Sequence, residues 1–133
     1  MMKAKLDYDY CPAAPVLEWV SRKWALVTLL RMKEVCAATG EAGIRFSDLY
    51  RTIPHVSEKM LAATLDYLED EALVDRHSNG GIPPCVTYNL TPLALNFLRE
   101  IGYVMEWGQL HRAQIMRERE ERLYSRCLPH HPR

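Results

Sequence analysis

Residues 45–61 read Arg45-Phe46-Ser47-Asp48-Leu49-Tyr50-Arg51-Thr52-Ile53-Pro54-His55-Val56-Ser57-Glu58-Lys59-Met60-Leu61. Phe46, Leu49, Tyr50 and Ile53 recur at helical spacing, which predicts a short helix with Ser47 at its N-cap. Pro54 stops that helix, since its ring blocks a further turn. His55-Val56 form a tight turn. Ser57 then caps a second helix, with Glu58 in the first turn where the helix dipole favours an acid. This second helix is predicted to reach Glu71. Leu61, Leu65 and Leu68 make its inward stripe, and Lys59, Ala62, Ala63 and Asp66 face away. A short helix, a tight turn and an amphipathic helix make a helix-turn-helix unit.

Downstream, Leu73 to Ser78 and Cys85 to Leu90 are strand-like runs. Between them lies the turn-rich tip Asn79-Gly80-Gly81-Ile82-Pro83-Pro84. Together they predict a β-hairpin with a long tip, a wing behind the second helix. Thr91-Pro92 opens a final long helix, Thr at the N-cap and Pro at N1. Its apolar positions include Leu95, Leu98, Ile101, Val104, Met105 and Trp107. Beyond His111 it turns charged, with Arg112, Arg117, Arg119 and Arg122 among Glu118, Glu120 and Glu121.

Upstream, Pro12 and Pro15 open a helix with Val16, Leu17, Trp19 and Val20 as apolar positions, interrupted at Ser21. Lys23 to Val35 is a second helix, apolar nearly all round and therefore central to a core. Residues 36–43 are small and are read as a loop. The fold class is mainly α with a small β-hairpin, a winged helix-turn-helix. Residues 1–10 form an arm, 11–112 the domain, and 113–133 a charged C-terminal extension.

The chain has 133 residues, enough for one modest core. No apolar run approaches the roughly 20 residues of a membrane span, and nothing at the N-terminus reads as a secretory signal, so a cytoplasmic protein is expected. Cys11, Cys36, Cys85 and Cys127 are far apart in sequence, and the five histidines are scattered. Neither set has zinc-ligand spacing, so no metal and no cofactor is expected. A thiol enzyme built on Cys11 lacks a placeable base, so no catalytic residue is assigned.

The unit's outward helix end suits DNA. Its N-terminus offers N–H groups and a positive dipole end to phosphate. Ser57 and Lys59 add a hydroxyl and an ammonium. Ala62 and Ala63 allow close approach to bases, and their methyls can meet thymine methyls. Arg45 and Arg51 are assigned to backbone contacts near the first helix, and Arg76, His77, Ser78 and Asn79 to the wing. The charge balance opposes this: 17 basic residues against 17 acidic give a net charge of zero. Residues 44–90 hold only Arg45, Arg51, Lys59 and Arg76 against seven acids. DNA must therefore meet a local patch, and a winged-helix module that binds proteins instead of DNA is the alternative.

Several stretches together resemble the HxlR-type winged helix regulators: Cys11-Pro12, Lys23-Trp24, Arg45-Phe46-Ser47-Asp48-Leu49, Ile53-Pro54 with Val56-Ser57-Glu58-Lys59-Met60-Leu61, Leu68-Glu69 with Leu73-Val74, Pro83-Pro84 with Val86-Thr87-Tyr88, Leu90-Thr91 and Trp107. The resemblance covers about residues 11–111. It implies a homodimer on pseudo-palindromic double-stranded DNA, joined through helices at residues 12–20 and 92–112. It also implies that Cys11, in its Cys-Pro pair before the first helix, responds to a small-molecule oxidant or electrophile. The sequence departs from the family at Ala62 and Ala63, where a polar residue is common, and at Cys85, where the family often has a basic one.

Overall fold

The computed structural model describes residues 13–128. It falls into two compact units, one ending at Leu98 and one beginning at Arg99.

The first unit opens with α1, Ala14–Ser21, with Pro15 in its first turn. The interruption falls one residue later than expected, at Arg22, whose extended backbone (φ −83°, ψ 98°) separates the two helices. Trp19 is the buried residue of α1 and meets the Phe97 ring edge-on at 5.3 Å.

Helix α2, Lys23–Thr39, is longer than the sequence reading allowed. Cys36-Ala37-Ala38-Thr39 continues the helix instead of forming a loop, because alanine is the best helix former. Gly40, left-handed at φ 74°, ends it, and its N–H donates to the Cys36 carbonyl at 2.9 Å. Ala25, Thr28, Leu29 and Met32 are buried, so one face is committed to the core.

A third strand, β1 (Gly43–Arg45), follows. Its three residues are too few to show alternation, so it is not legible in the sequence. It pairs antiparallel with β3 (Val86–Leu90), which also pairs with β2 (Val74–Ser78), so the wing is a three-stranded sheet in the order β1-β3-β2. A Cβ at Gly43 would lie 3.2 Å from the Asn89 and Thr87 side chains across the strand, so a larger residue there would push them aside.

Helix α3, Phe46–Thr52, starts one residue before the expected cap. Arg45 stands at the N-cap without a side-chain bond, and Ser47 lies inside the first turn. The β1 pairing sets this start, since the chain leaves the sheet at Arg45. Leu49 and Ile53 are buried, and Phe46 stacks on Tyr50 at 6.3 Å. His55 makes the turn at a left-handed φ of 67°. Helix α4, Glu58–Asp70, is capped as expected: Ser57 Oγ accepts from the Met60 N–H at 3.0 Å.

The core joins Leu29 and Met32 of α2, Leu49 of α3, Leu61, Leu65 and Leu68 of α4, Leu73, Val74 of β2, and Leu98. Helix α5, Pro92–Cys127, begins at the predicted cap. Thr91 Oγ1 accepts from the Ala94 N–H at 3.1 Å and donates to the Ala72 carbonyl at 2.8 Å. Within the second unit, the α5 side chains Tyr103, Val104, Trp107 and Leu110 are exposed. Among the described residues no helix is long and apolar enough to cross a membrane.

Candidate nucleic-acid interface

Burial of Leu61, Thr64, Leu65 and Leu68 fixes how α4 is turned. Its opposite ridge, Lys59, Ala62, Ala63 and Asp66, is exposed, together with Ser57 and Glu58 at the helix start. The Ser57 hydroxyl is spent on the cap, so it holds the helix end in place before it holds anything else. Lys59 makes no ion pair among the described residues. Its ammonium and the positive end of the helix dipole lie at one exposed tip, a suitable seat for an anion.

Arg45 and Arg51, paired in the sequence reading, differ in the structure. Arg51 turns back on its own helix, bonded to the Asp48 carboxylate and donating to the Ser47 carbonyl at 3.3 Å. Arg45 is exposed, without an ion pair among the described residues. It lines an open recess of about 500 Å³ with Ser47, Pro83, Pro84 and Cys85, so the start of α3 and the wing tip form one surface.

The sheet register sorts the wing residues. Arg45 pairs with Thr87, and Thr87 with His77, so these three side chains share one face. Arg76 lies in register with Tyr88 and Ile44 on the other face, which carries buried Ile44 toward the core. Successive strand residues point to opposite sides, so Arg76 and His77 do not serve one flat surface. Ser78 and Asn79 shape the tip. Asn79 Oδ1 accepts from the N–H groups of Gly81 and Cys85, each at 2.9 Å, and Ser78 Oγ accepts from the Gly80 N–H at 3.4 Å.

Arg22 and Lys23 carry no contact role that the sequence pattern alone reveals. Both line a recess of about 260 Å³ with Trp24 and with Met60, Ala63 and Tyr67 of α4, beside the exposed ridge. Arg22 bonds Glu18 at 3.1 Å and lies 4.1 Å above the Tyr67 ring. Tyr67 also donates to Glu18 Oε1 at 3.3 Å. Burial, with the charges of Glu18 and Glu71, pushes the Tyr67 phenol well above its ordinary pKa against the pull of Arg22. Lys23-Trp24 stands among the residues carrying the family resemblance, and that was the available signal.

Cys11, the residue expected to respond to oxidant or electrophile, lies outside the described residues. Cys36 is half-buried, donates its Sγ–H to the Ala42 carbonyl at 3.5 Å, and has its thiol pKa raised by burial. Both features favour the thiol over the reactive thiolate. Among the described residues no group of histidine, cysteine and acidic side chains is arranged to hold a metal ion.

A family model described as HxlR-like helix-turn-helix matches residues 19–116. The chain is 33% identical over 122 residues to the uncharacterized HTH-type transcriptional regulator YtfH of Escherichia coli (strain K12), covering 92% of this chain and 91% of that protein. Among solved structures, the putative transcriptional regulator ytfH from Salmonella typhimurium is 33% identical with a TM-score of 0.65, over 89% of this chain and 99% of that one. The redox regulator HypR in its oxidized form is 26% identical with a TM-score of 0.61, over 74% of this chain and 95% of that one.

Proposed function

The chain belongs to the HxlR-like helix-turn-helix family of transcription regulators, and from that premise we propose that it works as a homodimer reading a two-fold symmetric DNA operator, in the cytoplasm and without catalysis. The observation that carries this reading is the outward ridge of α4. Its N-terminus is capped and exposed, Lys59 is unpaired among the described residues, and small Ala62 and Ala63 stand behind it. In a helix-turn-helix protein the second helix enters the major groove by its N-terminal end.

Phosphate contacts set position and base contacts set sequence. Lys59, Arg45 and His77 are assigned to phosphate, the last two from the shared face of the sheet. Ala62 and Ala63 are assigned to base edges, where alanine methyls favour thymine methyls over hydrogen-bonded readout. Ser57 positions the helix, Ser78 and Asn79 hold the wing tip, and Arg51 and Arg76 contribute charge from the flanks.

Dimerisation is supported by apolar side chains left exposed on the two helices that the family resemblance assigns to the interface. They are Leu17 on α1 and Tyr103, Trp107 and Leu110 on α5. Exposed apolar clusters of this kind mark association surfaces. A response to oxidant or electrophile through Cys11 is the finer part of the proposal. It rests on the Cys11-Pro12 pair and on likeness to a protein described as a redox regulator.

The test is selection of bound sequences from random duplex DNA, with and without a mild oxidant. The proposal expects a pseudo-palindrome to be enriched, and oxidant to change its recovery in the wild type but not in Cys11→Ser. Absence of enrichment and of duplex affinity at low salt would contradict it, and would favour a protein-binding module.

A further inference from the structure

The helix-turn-helix and wing are short of positive charge. Residues 44–90 carry Arg45, Arg51, Lys59 and Arg76 against seven acids, and Arg51 is already bonded to Asp48. Binding to DNA releases counterions in proportion to the phosphates neutralised, so cations from outside this stretch are needed. The structure places a pair of them beside α4.

Arg22 and Lys23 sit where α1 gives way to α2. They share a recess with Met60, Ala63 and Tyr67, and both Met60 and Ala63 are exposed in the first half of α4. Lys23 has no ion pair among the described residues, and its ammonium rests 4.7 Å from the Trp24 ring centre. Arg22 is different. Glu18 holds it by two hydrogen bonds, at 3.1 and 3.3 Å, and partly neutralises it. Its stacking on Tyr67 fixes the junction against α4.

We propose that this junction is a second phosphate-binding patch, in which Lys23 contacts the DNA backbone beside the Arg22 that Glu18 and Tyr67 hold against α4. The inference rests on the reading that the chain binds duplex DNA. A strand running past the α4 ridge meets Lys59 at the helix end and Lys23 along its flank, so the acidic unit is bracketed by cations. The patch supplies affinity without sequence preference, since an ammonium on phosphate reads no base.

The experiment measures affinity for the duplex recovered by the selection above, by fluorescence anisotropy from about 50 to 200 mM salt. Lys23→Gln should lower the slope of log affinity against log salt by about 1.8, the loss of one phosphate contact in each subunit of the proposed homodimer. Lys23→Arg should restore the slope. Lys33→Gln removes the same charge about 15 Å further along α2 and should leave the slope unchanged. Thermal melting of each variant reports its folding separately. A Lys23→Gln slope equal to that of wild type, or an equal fall in Lys33→Gln, overturns the patch while leaving the regulator reading intact. A wild type that binds no duplex removes that reading, and the patch with it.

Discussion

Lys59 and Tyr67 stand on the same helix and do opposite work. Lys59 offers an unpaired charge at an exposed helix end, where a phosphate gains from both the ammonium and the dipole. Lys59→Ala should weaken DNA binding and lower the salt slope by about two units, one for each subunit of the proposed homodimer; titration across a salt series checks this, and an unchanged slope removes Lys59 from the interface. Tyr67 faces inward to Glu18 and Arg22, tying α4 to the first helix. Its proton is held more tightly in the folded protein than the roughly 10 of an unfolded tyrosine. That share of stability is therefore intact below about pH 10 and lost as pH rises further. Melting temperatures of wild type and Tyr67→Phe should converge above pH 10, and a constant gap would contradict the assignment.

At the scale of elements, the wing is held by side chains that first suggested DNA contacts. Asn79 accepts two backbone N–H bonds across a tip that has Gly80 at a left-handed φ of 71°. Asn79→Ala should leave the fold's melting temperature nearly unchanged. It should speed amide exchange at Gly81 and Cys85 by at least about tenfold, the equivalent of one lost hydrogen bond of about 1.4 kcal/mol. Unchanged exchange would show that the tip is shaped by something else. The same region shows what the sequence could reveal. The cap at Ser57, the Leu61-Leu65-Leu68 stripe, both hairpin strands and the Thr91-Pro92 start were legible, because each has a local chemical signature. β1 was not, since three residues carry no period. The Ser47 cap failed because a sheet contact, invisible locally, moved the helix start to Phe46. The candidate DNA surface was legible at Lys59 and Arg45 as charge. The Arg51–Asp48 bond and the opposed faces of Arg76 and His77 depend on rotamer and register, which no pattern of letters specifies.

For the whole molecule, a net charge of zero means that DNA binding must come from local arrangement and, in the proposed dimer, from two-fold repetition. In the proposed dimer every phosphate contact occurs twice, and the interface sets the distance between the two α4 ends. Tyr103, Trp107 and Leu110 fall three and four residues apart on α5, so they share one helix face, and Leu110 is 76% exposed. Leu110→Glu should shift sedimentation from dimer to monomer and reduce operator affinity together; a variant that stays dimeric would place the interface elsewhere. In the proposed complex two outward α4 ends read one duplex. Hydroxyl-radical footprinting of the selected duplex is the decisive measurement. Two protected patches related by a dyad, with centres about 34 Å apart along one face of the helix, are predicted. A single patch, or two whose spacing does not match a helical turn or its multiple, would contradict it.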